Sequence, residues 1–140
     1  MKFLVIAPAA FAAIALGLFA LLAQRSKAAA PPGLVDGALK PCPSSPNCVS
    51  SEAAGSVAPL PLSAWSRLPS AIADLGGEVV MKEDDYLAAT FASPLFGFVD
   101  DMEFRRADDR VHGRSASRVG HSDLGANARR VEALRRALGA

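Results

Sequence analysis

From Phe98 to Arg106 the chain alternates as a two-faced strand does. Phe98, Asp100, Met102 and Phe104 fall on one side, and Val99, Asp101, Glu103 and Arg105 on the other. Asp108 and Asp109 follow as a turn, and Arg110 to Ser117 reads as the next strand. A link that short cannot make a parallel crossover, so the pair must be antiparallel. Upstream, Val79 to Met81 and Tyr86 to Ala92 are two further apolar, β-forming runs around the turn signal Asp84–Asp85. Three to four antiparallel strands therefore form the centre of the domain.

Two helical stretches flank them. Trp65, Leu68, Ile72 and Leu75 recur at intervals of three and four, with Ser63 placed to cap the start and Gly76–Gly77 to close the end. Pro69 fits one helix poorly, and as a first-turn residue it would split the stretch into two short pieces. The last helix is expected to be capped by Asp123 or Ser122 and lined on its inner side by Leu124, Val131, Leu134 and Leu138. The expected class is α+β, an antiparallel sheet packed against two helices.

Ahead of this domain, Phe3 to Ala23 carries no charge, with Lys2 before it and Arg25 and Lys27 after it. As a helix this run spans roughly 31 Å, the thickness of a bilayer core. The apolar core of a secretory signal is shorter, and the Ala-x-Ala sequence that follows the apolar run, Ala28 to Ala30, lies beyond the charges. An uncleaved transmembrane anchor over residues 1–27 is the first reading, a cleaved signal the second. Residues 28–40, rich in Ala, Pro and Gly, read as a flexible tether to a domain over 41–140. Glu52 to Leu62 is made of small residues and is held extended by Pro59 and Pro61.

The chain has two cysteines, Cys42 and Cys48, enclosing PSSPN. For a membrane-tethered chain, a disulfide formed in an oxidising space is the leading reading. Free thiols and a metal clip are the alternatives, the clip having no obvious further ligands nearby. A disulfide places the domain in the periplasm, with the chain single-pass in the inner membrane. A net charge of +1 gives no field to draw nucleic acid.

The candidate site is the polar stretch Gly113 to Arg130. Asp100 and Asp101 point to opposite faces and cannot act as a catalytic dyad. Asp101, Glu103 and Arg105 are expected to form a solvated row, while Asp100, on the apolar face, needs a partner, for which the next strand offers Arg114 and Arg118. Gly113 to Ser117 falls one glycine short of a nucleophile elbow. With His112 or His121 and Asp123 it makes a paper triad for a serine-dependent hydrolase. The same histidines with Asp123 match no metal spacing, and no cofactor is implied.

An anion site accounts for more of the residues. Gly120, Ser122, Asp123 and Gly125 surround a helix N-terminus toward which Arg118, Arg129 and Arg130 can converge, although Asp123 would itself occupy the N–H groups as a cap. The candidate ligand-binding set is Arg114, Ser115, Ser117, Arg118, Ser122, Asp123, Asn127, Arg129 and Arg130. The expected function is a membrane-anchored envelope domain binding an anionic small molecule, a lipid headgroup or a protein partner through the 114–130 surface.

CPSSPNCVSS at Cys42 to Ser51, FGFVDDMEF at Phe96 to Phe104 and RSASRVGHSDLGANARRVE at Arg114 to Glu132 together resemble the family called domain of unknown function 1499, over about residues 40 to 138. The resemblance implies a small bacterial envelope protein, often with a signal or membrane anchor, and brings no activity with it. The family commonly has a histidine in the strand after the tyrosine, where this chain has Ala88, so a mechanism built on that histidine does not carry over.

Overall fold

The computed structural model describes residues 3–53 and 55–140, with side chains from residue 8 onward. Lys2, counted above as a flanking charge, lies outside the described residues, as does Ala54. In chain order the elements are α1 (Phe3–Ala28), β1 (Leu34–Val35), β2 (Ala38–Leu39), β3 (Cys48–Ser50), β4 (Leu60–Pro61), a 3-10 turn (Leu62–Arg67), α2 (Leu68–Asp74), β5 (Glu78–Lys82), β6 (Tyr86–Ala92), β7 (Val99–Arg106), β8 (Arg110–Ser117) and α3 (Ala126–Leu138).

The four expected strands are β5 to β8, and every pairing among them is antiparallel. The sheet is nevertheless larger than three or four strands. It runs β3-β8-β7-β6-β5, with β4 also pairing on β8, and β1–β2 form a separate two-stranded hairpin. The added strands are two or three residues long and show no period to read. Pro61 also restricts β4 to an edge.

Pro69 sits in the first turn of α2, and the predicted helical stretch does divide there, into a 3-10 turn and α2. Ser63 lies within that turn, whose N-cap is Pro61 with no side-chain cap bond, so it does not cap. Gly76, at φ +81°, and Gly77 end α2 by hydrogen-bonding back to Ala73 O and Ile72 O. A Cβ at Gly77 would stand 2.4 Å from the Phe91 ring, so glycine is what lets α2 close onto β6.

One face of the sheet packs Leu87, Ala89, Phe91, Met102, Phe104 and Val111 against Leu68 and Ile72 of α2 and Leu134 and Leu138 of α3. The opposite face was expected to be open to water, but there Asp101 and Glu103 are 3% and 0% exposed. Its cover comes from the segment just after α1, residues 29–40. Their composition reads as a tether, yet Gly33 N donates to Glu103 Oε1 and Leu39 packs, 2% exposed, on Tyr86 and Ala88. Cys42 and Cys48 are bonded, with Cα atoms 5.6 Å apart, at the entry to β3.

Candidate functional site

Register decides which charges meet. Directly opposed residues share a face, and the pairs are Asp100↔Ser117, Asp101↔Ala116 and Glu103↔Arg114. Arg114 and Arg118 therefore project from the face opposite Asp100, and neither is its partner. Asp100 pairs with Arg130 of α3 at 3.0 Å, and the Arg130 guanidinium also lies 4.6 Å from the centre of the Phe91 ring. The predicted partnership fails by one residue of strand parity.

On the second face three cation–carboxylate pairs stand in a row. The Arg118 guanidinium forks onto Asp101, with a closest contact of 2.7 Å. Arg114 Nη1 donates to Glu103 Oε2 at 3.0 Å, and Glu103 Oε1 accepts from the Tyr86 hydroxyl at 2.7 Å. Arg105 holds Glu52 at 2.9 Å. Burial and the hydrogen bond to Glu103 push the Tyr86 phenol well above its ordinary pKa, so it remains a neutral donor. Burial raises the Glu52 pKa, but Arg105, the Leu39 amide and the neighbouring positive charge outweigh it and leave the group below the usual range. The Arg114 Nε is buried and has no hydrogen-bond partner among the described residues.

Between this row and the segment after α1 lies a pocket of about 450 Å³, its wall including Ala29, Pro32, Lys40, Cys42, Arg114 and Arg118. Its charged lining is Lys40, Arg114, Arg118 and Asp101; Arg118 pairs with Asp101 and Arg114 with Glu103, and Lys40 has no ion pair among the described residues. Arg118 also reaches α1. Its Nη1 donates to Ser26 O at 2.8 Å and to Ala29 O, satisfying carbonyls at the helix end.

The remaining predicted residues go elsewhere. Ser115, fully buried, donates to Asn127 Oδ1 at 2.6 Å, and Asn127 Nδ2 reaches Ser117 Oγ, Asp123 Oδ2 and the Asn47 carbonyl. These bonds clamp the cysteine loop, β8 and α3 together. Asp123 accepts from the Gly125 and Asn127 amides at 2.9 and 2.7 Å, and Ser122 accepts from Leu124 N. The N–H groups of Gly125, Ala126 and Asn127, among those expected to receive an anion, are thus already occupied by Asp123. Arg129 caps Leu124 O from an exposed position, so Arg118, Arg129 and Arg130 do not converge. Leu124 was expected to face the core. It precedes the helix in a left-handed conformation, φ +53°, and is 86% exposed.

The paper triad does not assemble. His112 Nδ1 approaches Ser51 Oγ at 3.3 Å and Glu52 Oε2 at 4.0 Å through the same ring nitrogen, while a relay needs one partner on each nitrogen. His121 is exposed. Among the described residues no three His, Cys, Asp or Glu side chains are grouped to hold a metal ion.

Sequence reasoning missed Lys40, Glu103, Ser26 and Asn47. Asn47 alone carried a signal, as the one amide in the cysteine loop. A family model, protein of unknown function (DUF1499), matches residues 38–138. The chain belongs to this family. The match takes in the second hairpin strand, the cysteine loop, the whole sheet and α3, and so contains every strand that carries the pocket's arginines. No curated protein and no solved structure matches the chain.

Proposed function

We propose that this protein is a single-pass envelope protein, anchored in the inner membrane by residues 3–23 with its sheet in the periplasm, and that it binds an anionic ligand bearing phosphate or carboxylate. The ligand reading rests on the pocket lined by Lys40, Arg114 and Arg118, where three cations meet one lining carboxylate, Asp101, and the Arg114 Nε is buried without a partner among the described residues. The anchor reading draws on α1, which from Pro8 to Ala28 is long and apolar enough to cross a membrane, and on the cysteine bridge. That the anchor stays attached is supported by Ser26, fully buried, and by the carbonyls of Ser26 and Ala29 that receive Arg118. Cleavage after Ala30 would remove all three from the fold.

The serine-hydrolase alternative has less support. Ser115 is inaccessible, and the hydrogen bonds described for the Asn127 clamp include no histidine.

Melting the full-length protein in detergent with inorganic phosphate or a small carboxylate tests the ligand reading. Saturation at about 100 times the dissociation constant stabilises by roughly 2.7 kcal/mol, which gives a clear rise in Tm. Lys40→Ala, at an exposed position, should keep the ligand-free Tm and lose most of the rise. No rise with either anion overturns the reading.

A further inference from the structure

The sheet end formed by the close of β6, the start of β7 and the close of β8 lies against the last turns of α1. Phe19 stacks on Phe96 with ring centres 5.5 Å apart and meets Phe98 edge-on at 6.4 Å. Ala23 and Ser26 are buried, and Ser26 Oγ accepts from Val99 N at 3.1 Å. Both ends of the helical segment that touches the domain are therefore tied down.

Depth follows from helix geometry. Phe19 lies six residues before Arg25, the first charge after the apolar run, which is about 9 Å back along the axis toward the bilayer. A residue stacked on Phe19 must sit at that depth too. Phe96 belongs to the tight β6–β7 loop, Ser93 to Phe98, which is closed by Ser93 N to Phe98 O at 2.8 Å and by Phe98 N to Ser93 Oγ at 2.9 Å. This rigid loop carries Leu95 with 83% of its surface exposed. A second loop flanks the same groove against Phe19 and Leu22 through Val119, Gly120 and Ser122, and it carries Leu124, 86% exposed. Two bare leucines are thus carried by loops that flank the apolar part of α1, where water is the costlier surrounding.

We infer that the loops 93–98 and 119–125 dip into the headgroup–acyl boundary of the leaflet from which α1 emerges, with Leu95 and Leu124 as the inserted side chains. The occupant of this surface is the bilayer itself. Interfacial segments bury their apolar face about 5–10 Å into that boundary, which matches the depth at which Phe96 meets Phe19. The inference rests on the reading of α1 as a membrane span. Its further content is that the domain sits on the membrane in one fixed pose, with the β7–β8 turn at Asp108 pointing away. An eight-residue strand places that turn about 26 Å from the inserted loops.

The test uses the full chain in vesicles of phosphatidylethanolamine and phosphatidylglycerol carrying doxyl-labelled lipid. Trp65, the only tryptophan, is first replaced by phenylalanine. Leu95→Trp and Leu124→Trp, both at exposed sites, are then compared with Asp108→Trp. The two loop reporters should emit at shorter wavelength and be quenched at least roughly twofold more than Asp108→Trp, as expected for burial below the headgroups. If the chain floats with the vesicles while both loop reporters match Asp108→Trp, the insertion is overturned and the anchor stands. If the chain does not float with the vesicles, the anchor reading falls and the insertion with it.

Discussion

Truncating Arg114 to alanine leaves Glu103, which has no exposed surface, without its counter-charge, and a Tyr86 hydroxyl and one backbone amide cannot replace a guanidinium. Breaking one side of a buried pair costs about 3–5 kcal/mol, a large share of the roughly 5–15 that holds a domain together. Arg129 differs in kind. It is exposed and meets only Leu124 O, so Arg129→Ala should stay within about 0.5 kcal/mol of the parent. Thermal melts of the two variants in detergent should separate widely, and equal small losses would mean that the Arg114–Glu103 pair contributes nothing. Both arginines were visible in the sequence as members of one cluster. Their different weights come from neighbours that are 11 and 5 residues away along the chain, the one a buried carboxylate and the other a carbonyl in an exposed loop.

The start of α3 shows how one carboxylate organises an element. Asp123 binds the amides of Gly125 and Asn127 and the Asn127 side chain, which together anchor the helix to β8 and to the cysteine loop. Burial alone would raise its pKa, but the hydrogen bonds from Asn127 and Gly125 outweigh it and hold the group below its ordinary value. A depressed folded-state pKa makes this stabilisation complete above the unfolded value of about 4, and it disappears as the pH falls through the folded value. Asp123→Ala should accordingly cost about 1 kcal/mol at pH 7, and its gap to the parent should narrow steadily below pH 4. Melts across that range check the sign. A gap that persists undiminished in acid would show that the carboxylate charge is not what holds the helix start.

At the scale of the molecule, Arg118 links α1 to the sheet, one guanidinium serving Asp101 and two carbonyls at the helix end. Hydrogen bonds to a charged group contribute roughly 1.5–3 kcal/mol each, so losing them should let the segment after α1 open at least about tenfold more often. Trypsin cleavage after Lys27 in detergent measures that opening. Arg118→Ala should be cut correspondingly faster. Equal rates for Arg118→Ala and the parent would mean that the helix is held by its apolar contacts alone.

What the sequence by itself determined were features carried by neighbouring residues: the two-faced alternation of β7, the antiparallel pairing forced by the Asp108–Asp109 turn, the helix end at Gly76–Gly77, the apolar span and the cysteine pair. Each is a property of a few consecutive residues, so it is legible before folding. Tertiary structure decided which carboxylate each arginine meets, because a shift of one residue in register moves a side chain to the other face. It also decided that the polar face of β7 is buried, since its cover, Gly33 and Leu39, lies more than sixty residues upstream of Glu103 and no local period records it. The pocket exists only where those distant segments meet, which is why Lys40 gave no sign of itself in the sequence.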